Sequence, residues 1–215
     1  MGSSRGVAGE RLIDLSAQFG QIDIYLFDQL LRGRITPDMT VLDAGCGSGR
    51  NLVYLLGMGC EVFAADADPA AIGAVRRLAA RLAPRLPAEN FRQEPVEAMS
   101  FAPASADVVL SSAVLHFARD DAQFAAMLNG SWRVLRPGGF FFCRLASSIG
   151  MLGRFRSIGG RRHVLLDGSE RYLVDEAFLI ATMEALGGEL LDPLKTTVVQ
   201  DQRCMTTWVI RKGRH

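Results

Sequence analysis

Apolar residues along the chain change period several times, and each change marks an element. Over residues 10–33 they recur in steps of three and four (Leu12, Leu15, Phe19, Ile22, Tyr25, Leu26, Leu30), the spacing of one amphipathic helix. A strand is predicted at 40–42, a helix at 51–58 and a strand at 61–65. Residues 69–82 read as a helix with Pro69 in its first turn, where the missing N–H is harmless. A weak strand near Phe91, a strand at 107–111, a helix at 121–135 and a strand at 140–145 follow. Such alternation predicts an α/β fold with a mostly parallel sheet and helices on both faces. The tail breaks the rhythm. After a helix at 175–186, β-rich runs at 189–199 and 205–211 flank a polar stretch, predicting a C-terminal antiparallel hairpin that completes seven strands.

At 215 residues, 49% hydrophobic and 22% charged, the chain fits one globular domain and is excluded from the disordered class. Its expected parts are an N-terminal helical cap (1–38), a core (39–146), a substrate-side insertion (147–174) and a last helix with hairpin (175–215). No apolar run reaches the roughly 18 residues of a membrane helix. The opening MGSSRGVAGE lacks the pattern of a signal or transit peptide, and Gly6 stands where myristoylation wants Ser or Thr. A cytoplasmic protein without a membrane partner is expected. Cys46, Cys60, Cys143 and Cys204 form no C-x-x-C pair, so reduced thiols and no metal site are expected.

The formal charge of +1 conceals an uneven distribution. Residues 122–166 hold seven arginines and no acid, while acids outnumber bases on both sides. Of the 24 basic residues only Lys195 and Lys212 are lysines, so arginine is the ordinary cation of this chain.

The sharpest motif is VLDAGCGSGRN, Val41 to Asn51, between the first strand and the next helix. Gly45, Gly47 and Gly49 allow a tight turn and close approach of backbone to a ligand, with the helix N–H groups behind them. In an open α/β sheet that crevice is where ligands bind. The dinucleotide pattern G-x-G-x-x-G fails at Arg50. Asp43 would repel a pyrophosphate and attract an ammonium and a sulfonium. Asp66, 23 residues after Asp43 at the end of the second strand, suits a ribose diol. The combination points to an adenosyl ligand without phosphates.

At these residues the chain resembles the class I S-adenosylmethionine-dependent methyltransferases. VLDAGCGSGRN is similar to their first motif, EVFAADADP (61–69) to the acidic second, SADVVLSSAVLHF (105–117) to the fourth-strand motif and RVLRPGGFFF (133–142) to the segment that follows. The likeness covers about residues 40–146 and looks most like the small-molecule branch with tellurite-resistance and quinone-biosynthesis enzymes. It implies a Rossmann-like sheet, S-adenosyl-L-methionine as cofactor and S-adenosyl-L-homocysteine as product. By the same resemblance Asp43, Gly45 and Gly47 border the methionine moiety, Asp66 holds the ribose and Ala67 lies against the adenine; Cys46 belongs to the cofactor loop as a small filler whose backbone matters more than its sulfur. Where many relatives carry an adenine-contacting Asp, this chain has Pro95, so Val96 or Glu97 would serve instead. Ser111 and Ser112 would offer backbone to the ammonium. Asp66 is also a helix-start acid by position, and Asp68 is an alternative ribose ligand.

The remaining candidates each carry two readings. His116 closes the fourth strand and is either a general base or a packing residue. The N-terminal helix with Tyr25 and Asp28 is a lid or plain packing. Arg144, Arg154, Arg156 and Tyr172, with Arg161 and Arg162, lie at or after the fifth strand, facing an anionic small substrate or pairing with acids elsewhere. The expected activity is in-line methyl transfer to a small molecule. Alternatives are RNA or DNA methylation, disfavoured because SSAVLHF lacks the Asn/Asp-Pro-Pro-Tyr/Phe segment, and a non-catalytic cofactor-binding module.

Overall fold

A computed structural model describes residues 14–151 and 153–214. In place of one N-terminal helix it has two, α1 (Leu15–Phe19) and α2 (Ile24–Leu31). Asp14 caps the first by accepting from Ala17 N at 3.0 Å, and Asp23 caps the second by accepting from Tyr25 N at 3.0 Å. Two cap-forming acids therefore cut an apolar period that reads as continuous. Residues 10–13 of the expected helix, and the MGSSRGVAGE segment, lie outside the described residues.

The core then alternates as predicted: β1 (Thr40–Ala44), α3 (Val53–Met58), β2 (Glu61–Asp66), α4 (Pro69–Leu82), β3 (Phe91–Gln93), β4 (Ala106–Ser112), α5 (Asp121–Val134) and β5 (Leu135–Ala146). These strands pair in parallel. β1 is buried at every position, as a strand covered on both faces must be. Side chains alternate between the two cores: Phe140 and Phe142 join Val41 and Leu110 on one face, and Phe141 joins Leu42 and Val109 on the other. Asp68 caps α4 through Ala70 N at 2.8 Å, with Pro69 in the first turn. β5 begins earlier than predicted because Leu135 pairs with Ala106 before a register shift that carries the Pro-Gly-Gly stretch.

After β5 the chain forms β6 (Arg156–Gly159), β7 (Arg162–Val164) and β8 (Glu170–Tyr172), a separate antiparallel sheet whose strands are too short to register as periods. Then come α6 (Glu176–Ala185), β9 (Gly188–Leu190), β10 (Lys195–Val199) and β11 (Arg203–Lys212). The run at 189–199 is thus two strands, both antiparallel to β11. It breaks at Asp192-Pro193, where proline has no N–H for the ladder and buried Asp192 turns inward to accept from Gln29 Nε2 at 2.9 Å and Arg34 Nη1 at 2.8 Å.

The main sheet has the order β10-β11-β5-β4-β1-β2-β3, with β9 also on β11. From β1 the chain steps out through β2 to β3, then returns on the other side of β1, so a crevice opens beyond the carboxyl ends of β1 and β4. Among the described residues no helix is long and apolar enough to cross a membrane.

Trp208 of β11 is wholly buried and meets Phe141 of β5 edge-on, with ring centroids 6.2 Å apart. Trp208→Ala is expected to lower the unfolding free energy by about 3–5 kcal/mol in urea denaturation. A loss below about 1 kcal/mol would show that this seam is not close-packed.

Candidate functional site

β1 ends at Ala44 and the chain turns against the end of β2. Gly45 N and Cys46 N both donate to Ala65 O, at 2.8 and 3.1 Å, and Gly47 N donates to Asp66 Oδ2 at 2.8 Å. Gly45 and Gly47 hold φ of 85° and 51°, the left-handed region that favours glycine. A Cβ on Gly45 would lie 2.5 Å from Val114 Cγ2, whereas one on Gly47 would meet nothing within 4 Å. The first glycine thus permits packing, and the second faces open space. That space is a cavity of about 600 Å³, within the usual range for a small-ligand site.

Gly45, Cys46, Gly47, Asp66, Ala67, Val96 and Glu97 all form its wall, together with Pro95. Asp66 Oδ1 accepts from Asp68 N at 3.0 Å, so each carboxylate oxygen has one backbone partner and a lone pair to spare. Glu97 Oε1 accepts from Gln123 Nε2 at 2.8 Å. Burial raises the Cys46 thiol well above its usual range, with Asp43 and Asp66 adding to the effect.

Two expected cofactor residues lie behind the wall. Asp43 and Ser111 are buried, and Asp43 Oδ2 and Ser111 Oγ have no hydrogen-bond partner among the described residues. Ser112, expected beside Ser111, does line the cavity at the end of β4, with Ala113 and Val114. Burial, opposed by Arg50 and reinforced by Asp66, pushes the Asp43 carboxyl up to about 7.

Sequence reasoning missed several wall residues. Arg50 counts in the sequence only as too bulky for a dinucleotide loop, yet it lines the cavity and donates through Nη2 to Ser112 Oγ at 2.8 Å. Gln123 had a signal: it stands three residues after the cap Asp120, donates its N–H to Asp120 Oδ1 at 2.7 Å and accepts from Arg119 N at 3.0 Å. Ala113 has φ of 65°, a conformation rare outside glycine and carrying no sequence signature. Phe117 also lines the cavity.

The expected substrate-side residues sit elsewhere. Asp23 Oδ2, wholly buried, accepts from Arg144 Nη1 and from Ser112 Oγ, both at 3.1 Å, with Arg50 Nη2 at 3.7 Å. Arg144 lies 5.4 Å from the Tyr25 ring centre, and the Tyr25 hydroxyl shares a 2.7 Å hydrogen bond with Thr197 Oγ1. Both residues therefore dock α2. Arg154 pairs with Asp201 at 2.9 Å, Arg161 with Asp175 at 2.8 Å, and Arg162 with Glu170. Arg136 pairs with Asp107 at 2.8 Å, and Arg133 donates to the carbonyls of Met99 and Phe101. Only Arg156, on exposed β6, has none of these partners among the described residues. Five of the seven arginines of the acid-free block are thus paired with acids from other segments. Tyr172 is buried, stacks on Phe124 at 4.8 Å and donates to Asp121 Oδ1 at 2.9 Å. Burial and Asp121 raise its hydroxyl above the ordinary range. Asp68, the alternative ribose ligand, is committed to capping α4.

His116 is buried, and its Nδ1 accepts from Ala146 N at 3.1 Å. Burial, with Arg171 adding, lowers its pKa to about 4. The ring is neutral with its lone pair already engaged, so the geometry favours a strut between β4 and β5 over a general base.

Asp43 and His116 load the pH dependence of stability in opposite senses. The raised carboxyl of Asp43 contributes fully below its ordinary value of 3.8, and that contribution is lost as pH rises through about 7. The lowered His116 contributes fully above 6.5 and loses its contribution as pH falls towards about 4. Asp43→Asn is therefore expected to gain steadily on the parent in urea denaturation between about pH 4 and 7. A pH-independent difference would contradict a buried carboxyl of this kind.

Residues 42–143 match the family model for a methyltransferase domain. An uncharacterized methyltransferase of Synechocystis sp. is 36% identical over 107 residues, covering 50% of this chain and 47% of the relative. A malonyl-[acyl-carrier protein] O-methyltransferase of Enterobacter lignolyticus is 34% identical over 152 residues, covering 69% of this chain and 54% of the relative. The chain thus spans about half the length of the curated relatives it matches. Among solved structures, the 1,6-didemethyltoxoflavin-N1-methyltransferase of Burkholderia thailandensis, with bound 1,6-didemethyltoxoflavin and S-adenosylhomocysteine, aligns at a TM-score of 0.67 and 22% identity, over 93% of this chain and 81% of that one. With motif order, sheet topology and domain match in agreement, residues 42–143 are a methyltransferase domain, and the chain is similar to S-adenosylmethionine-dependent methyltransferases.

Proposed function

We propose that this protein transfers the methyl group of S-adenosylmethionine to a small-molecule acceptor. The observation that carries the reading is the glycine loop facing an acid-edged cavity at the point where strand order reverses. The wall fits this cofactor chemically. Gly47 leaves open space where a Cβ would intrude, Asp66 has lone pairs for a ribose diol, and Ala67, Val96 and Met127 offer apolar surface to a base. The unpartnered Oδ2 of Asp43 places latent negative charge behind the loop, suited to an ammonium or a sulfonium.

Bound S-adenosylmethionine supplies an electrophilic methyl carbon on a positively charged sulfur. For an in-line transfer the glycine loop, Asp66 and Glu97 would hold the cofactor with its methyl carbon open to the acceptor nucleophile and the sulfur as leaving group. The chain's task is then alignment and exclusion of water, which supply most of the acceleration when the leaving group is already activated. Asp66 and Glu97 fix one end, and the strained turn at Ala113 shapes the wall near the end of β4. α1 and α2, docked through Asp23, shelter the loop.

A small acceptor is supported by the cavity size and by the low-molecular-weight substrate of the toxoflavin methyltransferase. The ion pairing of Arg154, Arg161 and Arg162 removes the reason to assign an anionic acceptor to that cluster. It also weakens the case for a nucleic-acid substrate, whose affinity depends on unpaired cations.

Isothermal titration with S-adenosylhomocysteine is expected to show binding, and Asp66→Ala to weaken it about ten- to a hundredfold. Unchanged affinity in the variant would remove Asp66 from the ribose role. No binding to the parent protein at tens of micromolar would sink the reading.

A further inference from the structure

Phe117 follows the end of β4 in a short 3-10 turn, lines the cavity and is nevertheless 61% exposed. A large apolar ring so placed is held by its neighbours rather than by burial. The His116 ring meets it nearly edge-on at 4.6 Å, Phe117 N donates to Val114 O at 3.0 Å, and the Arg171 guanidinium of β8 lies over the ring, 4.7 Å from its centre. β8 thereby brings a cation to the rim of the cofactor cavity, from outside the acid-free block that drew attention in the sequence.

Arg171 also differs from the paired arginines of that block. Its Nη1 donates to Glu170 O at 2.7 Å, and among the described residues it has no carboxylate partner. Asp167 feels its charge only at longer range. A guanidinium has five N–H donors in a planar fork, so most of those on Arg171 remain for a ligand. Its stacking on Phe117 keeps the fork oriented at little further entropic cost.

We propose that Phe117 and Arg171 form the acceptor-recognition edge of the methyl-transfer site, selecting a flat, aromatic or conjugated acceptor that carries an anionic group. The ring presents a stacking face and the guanidinium takes a carboxylate or similar oxyanion. This rests on the methyltransferase reading above, because it requires the cofactor to occupy the adjoining cavity.

The test is titration of protein saturated with S-adenosylhomocysteine with hydroxylated benzoates, each matched to its neutral methyl ester. The acid is expected to bind at least about tenfold more tightly than its ester. Arg171→Gln should abolish that gap, Arg171→Lys should retain part of it, and Phe117→Ala should weaken acid and ester alike. The affinity for S-adenosylhomocysteine, measured on each variant, reports whether the fold and the cofactor cavity survive. Equal binding of acid and ester, a gap that persists in Arg171→Gln, or no binding of either by the cofactor-loaded protein would overturn the proposal while leaving the methyltransferase reading intact. Failure of S-adenosylhomocysteine to bind the parent protein would overturn both.

Discussion

The rim of the crevice depends on one buried carboxylate. Asp23 lies at the junction of α1 and α2, and its side chain is entirely out of water. A charge so placed is stable only if it is fully compensated. Compensation comes from Arg144 at the end of β5, Ser112 at the end of β4 and Arg50 in the glycine loop. Asn51, just before α3, accepts the Asp23 N–H at 2.9 Å. Asp23 also caps α2 through its other oxygen, Oδ1. A single acid therefore registers the N-terminal helices against the glycine loop and the ends of β4 and β5. Removing it would leave Arg144 largely buried without its ion-pair partner, so the cost would fall on the rim as a whole.

That arrangement explains why the N-terminal helices read ambiguously in the sequence. Their apolar period is genuine packing: Phe19 stacks on Tyr54 at 4.8 Å and touches Phe27 at 4.9 Å. The functional content lies in a polar residue that an amphipathic pattern assigns to the wet side. Periodicity recovers every strand and helix of the core because both faces of β1 and β4 are buried and their loops carry strong turn residues. It fails where tertiary contacts decide. Asp192 interrupts the last β-rich run only because Gln29 and Arg34 wait for it, and β6 to β8 are short strands stabilised by one another.

The site shows the same division. The glycine loop and Asp66 were legible because backbone geometry and carboxylate chemistry leave marks at fixed spacing, and the Pro95 to Glu97 turn through the family resemblance alone. The depth of Asp43 and Ser111 was not, since one residue along a strand reverses the face a side chain occupies. Charge misled in a related way. An acid-free stretch of sequence looked electropositive, but Asp175, Asp201 and Glu170 come from elsewhere in the chain to pair with its arginines. Arg171, set among acids in the sequence, is the residue whose guanidinium reaches the cavity rim through Phe117. Net charge by segment is a statement about the chain, whereas a ligand meets the charge left after folding has paired it.

The central claim is that the cavity between the glycine loop, the end of β2 and the Pro95 turn binds S-adenosylmethionine. Amide hydrogen exchange with and without S-adenosylhomocysteine tests it directly, because it reads the location of binding independently of any acceptor. Slowed exchange is expected mainly at residues 45–51, 66–68 and 96–98, with the β6 to β8 sheet little changed. Protection centred instead on a second pocket, which Ser148, Phe155, Arg161 and His163 line, or no protection at the glycine loop, would contradict it.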